Sequence, residues 1–555
     1  MRLTNYTTIA TLALVGCGVD GTDDSIALRI EPSDSTQVVT DGQPVTTQYR
    51  AYLVEADGSE KDVTANTMFE LSRPELGTWH AANGETSLEV TGAAVGPAAV
   101  NARYGGLTAA AGLEVHAQTR IVDAGAATAN AAARFDAAAT SYSCFPIVMY
   151  PEAGTIMPPN LDGLDVQWTD YVNDLFRVSF QTRYATVDIY TTDSERALSA
   201  DALAQLASTR EAVMMSVSSL PVAPAADAVA CTAQQRRLNV SDVPLKGAIY
   251  SWSDGAGIYR HDVAERGEPE PLVMTLPEGN AELAMSATMP SLASSCAGCA
   301  VSQNGARMAL SLDNGYGAIV DFPQQRMMQP TTWESATFTP VANKLVVEQD
   351  GNLKLISDAG TTITTIENTP GFSALDPQFS PDGTKLISVE STGFSPTGSA
   401  NLIIRSFEDD GDTFGEPVEL FPLQAGVANY APSWSPDGRW IAFTRTVGWG
   451  TAYPTTSIWI VKADGTQPAH QVVSPTSDVD MAARWVPGVQ ALDGNLFYYL
   501  TFDSLRPYGM HDAGRQIWMM AFFPSSQLAR PALHVPFQSL DRSNHVAQWS
   551  NALVR

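Results

Sequence analysis

Basic residues are scarce in this chain. Its 555 residues carry 32 Lys and Arg against 60 Asp and Glu, a formal net charge of -28. Such a surface repels phosphate backbones and anionic headgroups, which excludes nucleic acid as a partner and a basic face as a membrane anchor. Histidine is sparse, at 7 residues. His261, His470, His511, His534 and His545 fall in the C-terminal half, and no two have the i, i+2 or i, i+4 spacing of metal ligands. No metal and no cofactor are expected. There is no Gly-x-Ser-x-Gly elbow and no segment left to hold a hydrolase domain, so a Ser-His-Asp catalyst is excluded and no catalytic residue is named. Long apolar runs are also missing. The longest candidate, Thr7 to Gly16, falls short of the ~20 residues that a spanning helix needs.

That segment follows Arg2 and fits the apolar region of an export signal. It ends in Leu14-Val15-Gly16-Cys17, which resembles the bacterial lipobox, where the cysteine thiol is lipidated and becomes the new N-terminus. The other reading is a plain secretory signal with a chance cysteine. The resemblance implies a signal peptide over 1–17 and lipidation at Cys17. Gly18 in place of Asp implies sorting to the outer membrane, facing periplasm or exterior. Residues 18–25 are small and polar, a tether.

Four cysteines remain: Cys144, Cys231, Cys296 and Cys299. Export favours disulfides, and four cysteines allow three pairings. Cys144–Cys231 and Cys296–Cys299 are favoured, because the first two bracket one expected domain and the second two are neighbours. Cys296-Ala297-Gly298-Cys299 would attach haem only if histidine followed, and residue 300 is Ala300.

The expected class is all-β. Residues 26–116 show short alternating strands and Gly/Asp turns, the pattern of a sandwich. The opening strand ending in Glu31-Pro32, the Asp57-Gly58-Ser59 and Asp62-Val63-Thr64 stretch, and the Gly96, Val100, Gly105-Gly106 run resemble bacterial Ig-like domains of group 2. That implies a spacer or adhesive module. Residues 117–143 are alanine-rich and read as a linker or one frayed helix; Gly125 and the lack of an apolar stripe favour the linker. Residues 144–242 read as a second β-sandwich that loosely resembles fibronectin type III, with one short helix near Ser199 to Ser208.

Residues 243–555 repeat. Phe379-Ser380-Pro381-Asp382-Gly383 and Trp434-Ser435-Pro436-Asp437-Gly438 each lead into an apolar strand. Proline presets φ, Ser and Asp cap free N–H groups, and glycine takes the φ > 0 position. Weaker copies begin at Val301, Phe338, Trp485 and Trp549. The motif between an aromatic and an apolar strand resembles the TolB-type β-propeller repeat. This implies six blades, the last closed by strands from both ends of the region, with Gly247 to Trp252 and Gly257 to His261 supplying the outer strands.

In three consecutive repeats the loop between second and third strands is long: Thr392 to Ala400, Val447 to Thr456, and Ser504 to Gly514. These loops carry Phe394, Trp449, Tyr453, Arg506, Tyr508 and His511, residue types that dominate interface hot spots. They are either a partner-binding rim or cover for the propeller's own surface. The acidic turn Asp409-Asp410-Gly411-Asp412 lacks a calcium ligand ladder and reads as a solvated loop. The expectation is a lipid-anchored envelope scaffold that binds an envelope protein or glycan. The alternative is a carbohydrate-binding or polysaccharide-lyase-like propeller.

Overall fold

The computed structural model describes residues 26–554 except 162, 224–227, 255, 266, 268, 272–298, 312–316, 325, 329–331, 394–397, 449–454, 473–478 and 513. Cys17 and the tether lie outside the described residues. The chain is all-β apart from short helices. It divides into two compact units, one within Met1–Gly92 and Gly96–His116, the other within Ala93–Val95 and Ala117–Arg555.

The first unit holds two sheets. One has the order Ala27–Glu31, Val45–Val54, Glu85–Val90, Thr78–Ala82. The other contains Met68–Leu71, Gly96–Tyr104, the beginning of Leu107–Val122, and Asp34–Thr40. Period-2 alternation puts Leu88 and Val90 inward from the first, and Val100, Ala102, Leu113 and Val115 inward from the second. Tyr49 and Trp79 meet edge to face at 5.4 Å.

The second unit opens with a correction. Residues 117–143 are not a linker. Ala117 to Val122 pairs in parallel with Ala185 to Tyr190. Two helices follow, α1 (Ala124–Thr128) and α2 (Ala131–Ala137). They bury Ala126, Ala131 and Phe135 with Leu175, Tyr190, Leu220 and Ala230. Gly125 argues against a helix by propensity. Here it permits close packing, since a Cβ at that point would meet Thr192 Oγ1 at 2.7 Å. The single large anchor, Phe135, replaces the missing apolar stripe.

Residues 144–242 also depart from a fibronectin-like sandwich. Their main sheet runs Thr140–Ser141, Ala230–Thr232, Val213–Leu220, Leu175–Gln181, Ala185–Thr191, and then the Ala117 to Val122 stretch. The pairs at both ends are parallel, which tight hairpins cannot make. A smaller antiparallel sheet joins Ile147–Tyr150, Leu164–Thr169 and Glu195–Leu198. Helix α3 (Ala200–Ser208) follows, with the Ser199 side chain accepting from the Ala202 N–H as its N-cap. The expected disulfide Cys144–Cys231 is formed, with Cα atoms 4.9 Å apart. Cys299 is disulfide-bonded too. Its expected partner Cys296 lies outside the described residues.

From Ala248 onward the chain folds into successive antiparallel sheets, each built outward from an inner strand. Three have four strands: Asn544–Ser550 with Ala248–Ser253, Gly257–Asp262 and Glu270–Pro271; then the sheet starting at Ala300–Val301; then that starting at Ala336–Phe338. The nine-stranded sheet is two such groups, starting at Ser373–Phe379 and Val427–Trp434, joined by one parallel bridge between Ala400 and Ala428. The last group starts at Asp480–Trp485. Neighbouring inner strands touch in order, and Asn544–Ser550 touches both Asp480–Trp485 and Ala300–Val301. The C-terminal strand thus pairs with Ala248–Ser253 and leaves no open end there.

A candidate binding channel and the joint beside it

The repeat motif builds the turns at one end of the inner strands. The Ser380 hydroxyl donates to Asp382 Oδ1 at 2.6 Å and accepts from the Lys385 N–H at 3.0 Å. Ser435 does the same with Asp437 at 2.6 Å and Trp440 at 2.9 Å. The degenerate copy keeps the chemistry: Ser302 donates to Asn304 Oδ1 at 2.9 Å and accepts from the Arg307 N–H at 2.9 Å. Gly383 and Gly438 take φ of 72° and 69°. At the matching place in the third sheet, Ala342 is held at φ 56°.

Several inner strands carry a bulge that the sequence does not announce. Register shifts occur between Leu375 and Gln378, Tyr430 and Ser433, and Met481 and Arg484. Asp376, Ala431, Ala482 and Val546 take left-handed φ of 46° to 55°. Several of these N–H groups turn to a neighbouring sheet. The Ala431 N–H donates to Asp376 Oδ2 at 3.2 Å, the Ala482 N–H to Thr444 Oγ1 at 3.0 Å, and the Val546 N–H to Asp503 Oδ2 at 3.1 Å. The repeat's tryptophans do likewise. Trp434 Nε1 donates to the Gln378 carbonyl at 3.2 Å, Trp485 Nε1 to the Ser433 carbonyl at 3.0 Å, and Trp549 Nε1 to Thr501 Oγ1 at 3.0 Å.

These strands and turns enclose a cavity of about 430 Å³. Phe338, Phe379, Trp434, Trp485 and Trp549 form its apolar wall, with Pro340, Pro381, Pro436 and Pro487 at the turns. Arg484, Gln303, Gln378, Gln548 and Asn551 are in the polar lining, which also includes the carboxylate of Asp437 at a repeat turn. Burial lowers the pKa of Arg484, and the carboxylates of Asp376 and Asp503 pull it back up. Burial raises Asp376, against its bond from the Ala431 N–H. Asp503 is pushed up to about 6, again by burial first. Glu348, donated to by the Ser335 hydroxyl at 2.6 Å, is pushed up to about 8 by burial. No group of three or more His, Cys, Asp or Glu among the described residues could hold a metal ion.

Of the expected rim, Phe394, Trp449 and Tyr453 lie outside the described residues. The other three are engaged within the chain, Arg506 inside the last sheet and Tyr508 and His511 at a joint with the preceding module. Arg506 donates to both Asp480 oxygens at 3.1 Å. Tyr508 is 2% exposed. Its hydroxyl donates to the Asp165 carboxylate, and its ring stacks on His534 at 3.9 Å and meets Tyr150 edge to face at 4.9 Å. The Met510 N–H donates to Gln167 Oε1 at 2.7 Å, and His511 Nε2 sits 2.8 Å from Glu195 Oε2. Gly509, at φ 59°, is required there, because a Cβ would meet Gln167 Oε1 at 2.1 Å. This loop therefore docks the module before the sheets onto the last sheet; at Tyr508 and His511 the expected partner surface is already occupied within the chain. The acidic turn is likewise engaged: Lys344 Nζ pairs with Asp409 Oδ1 at 3.1 Å and with Asp412.

Sequence reasoning missed Arg484, Gln378 and Gln548 as lining residues, and Asp165, Gln167 and Glu195 as joint partners. A usable signal existed for two of the first group: Arg484 and Gln548 each immediately precede the tryptophan of a repeat.

No family model and no curated protein matches the chain. Among solved structures it is similar to a protein described as TolB from Agrobacterium tumefaciens, at 14% identity and TM-score 0.30, covering 55% of this chain and 99% of that one. It is similar to a chain of a nidogen/laminin complex at 8% identity and TM-score 0.34, covering 55% and 98%. An oligogalacturonate lyase in complex with manganese matches at 11% identity and TM-score 0.30, covering 50% and 70%. The β-propeller character of the C-terminal sheets rests on their own strand order and mutual contacts.

Proposed function

We propose that this chain is a lipid-anchored binding protein of the cell envelope. Its C-terminal sheets are the six blades of one closed propeller, and the central channel admits an extended segment of a partner protein. The observation that carries this is the cavity itself: aromatic walls, proline turns and glutamine amides around one half-buried arginine, at the end where the repeat turns converge. Concave sites lined by apolar groups with a few placed polar groups are the usual form of a binding site, within ~300–1,000 Å³. Anchoring through Cys17 would set the propeller at the membrane, with the two N-terminal modules as spacers.

Two experiments test this. A photo-crosslinking residue placed at Gln303, on the channel lining, is expected to trap an envelope protein, while one at exposed Asp464 does not. Crosslinks from Asp464 alone would move the binding face to the outer edge. Cys17→Ser is expected to release the protein from envelope membranes; retention of the variant, with no lipid on the wild-type N-terminus, refutes the anchor.

A further inference from the structure

We infer that the channel's ligand presents a carboxylate to Arg484; this rests on the peptide-binding reading above and names the chemistry that the site selects. Arg484 lines the cavity from an inner strand. Its Nη1 donates to the carbonyls of Ala483 at 2.9 Å and Ala431 at 3.3 Å, which fixes the guanidinium plane. Its Nε is buried without an acceptor. Among the described residues the guanidinium makes no ion pair, although Asp376 and Asp503 influence its charge. Each of those two carboxylates accepts from a backbone N–H, Asp376 from Ala431 and Asp503 from Val546, and neither reaches the guanidinium as an ion pair among the described residues.

A half-buried cation held by one nitrogen, with its Nε shut away from water, is costly unless an anion completes it. A carboxylate offers two oxygens to the guanidinium fork, the geometry for which arginine is suited. The neighbouring polar groups agree. Gln378 Oε1 is taken by the Trp434 N–H at 3.1 Å, which leaves its amide nitrogen as a donor. A chain of net charge -28 disfavours acidic ligands over most of its surface, so a local cation is needed to admit one.

The carboxylate has two sources in a peptide, the chain terminus or an Asp or Glu side chain. The test uses the full-length protein, immobilised, and three pools of N-acetylated randomised tetrapeptides. One pool is free acids with neutral side chains, one is amides each carrying a single Asp, and one is neutral amides. Mass spectrometry of the retained fraction is expected to show one of the first two enriched about ten-fold or more over the third, as one charge-assisted hydrogen bond commands. Which pool wins identifies the source. The enrichment is expected to vanish in Arg484→Gln, and, should that variant not fold, in Gln548→Glu, which adds a competing carboxylate to the lining. Equal retention of all three pools, or enrichment that persists in a folded Arg484→Gln, overturns the assignment while leaving the peptide channel standing. Retention of none overturns both. A digalacturonate control retained in place of every peptide would make the ligand a glycan and refute the peptide source.

Discussion

The joint between Tyr508 and its neighbours depends on a neutral histidine. The Gln538 amide is fixed, because its Oε1 accepts from the Ile517 N–H at 2.8 Å and its Nε2 donates to the carbonyls of Ile517 at 2.7 Å and Val535 at 2.8 Å. That Nε2, its two hydrogens turned to those carbonyls, lies 3.2 Å from His534 Nε2, so a proton on this imidazole nitrogen would meet a donor group and the ring's proton belongs on Nδ1. Burial, helped by nearby His511, lowers the His534 pKa to about 3. Its unfolded value is ~6.5. Above that value both states are neutral and the contribution is complete. As pH falls below it the unfolded chain takes up a proton that the folded site refuses, so stability declines down to the folded pKa. Between pH 7 and pH 5 the loss attributable to His534 is about 2 kcal/mol, at ~1.36 kcal/mol per unit over ~1.5 units. Glu348 and Asp503, raised by burial, act in the opposite sense over the same range and offset it in the whole protein. The effect is therefore isolated by comparison with His534→Phe, which keeps an aromatic ring against Tyr508 and removes the titration. Urea unfolding followed by tryptophan fluorescence at pH 7, 6 and 5 is expected to show wild type losing about 2 kcal/mol more than the variant. Parallel curves for the two proteins would refute the neutral-histidine account.

The two repeat glycines give a second comparison. Gly383→Ala and Gly438→Ala share the left-handed cost of about 1–2 kcal/mol, but only at Gly383 does a Cβ strike the next turn, 2.6 Å from Pro340 Cγ against 3.8 Å from Pro381 Cδ at Gly438. Gly383→Ala is expected to be the more destabilising by a further ~1–3 kcal/mol, and equal denaturation midpoints would contradict it. Tyr508→Ala should cost about 3–5 kcal/mol as a buried aromatic truncation, and limited proteolysis should then cut between the joined modules; an unchanged digest would mean that the joint holds elsewhere. Removing the disulfide with Cys144→Ser and Cys231→Ser is expected to lower stability by roughly 3–5 kcal/mol in the chain-entropy account, measured under non-reducing conditions, and a change below 1 kcal/mol would count against the closed loop as a constraint.

What was legible in the sequence was local. The turn residues Ser380, Asp382 and Gly383, and their counterparts at Ser435, Asp437 and Gly438, specify their own hydrogen bonds and backbone signs within six residues. Strand alternation and the bracketing of Cys144 and Cys231 are of the same kind, and so is the capped helix after Ser199. Gly125 misled because propensity weighs a glycine against helix, whereas its missing Cβ admits Thr192 from elsewhere in the chain. Tyr508 and His511 looked free because nothing adjacent covers them; Asp165 and Glu195, more than 300 residues away in sequence, do. The bulges that turn Ala431 and Val546 toward carboxylates on neighbouring sheets lie in the same category. Short-range geometry is written by residues within reach of their own backbone. The partly buried charge of Arg484, the joint at Tyr508 and the closure by Asn544–Ser550 depend on which distant strands are brought side by side, and only the tertiary structure decides that.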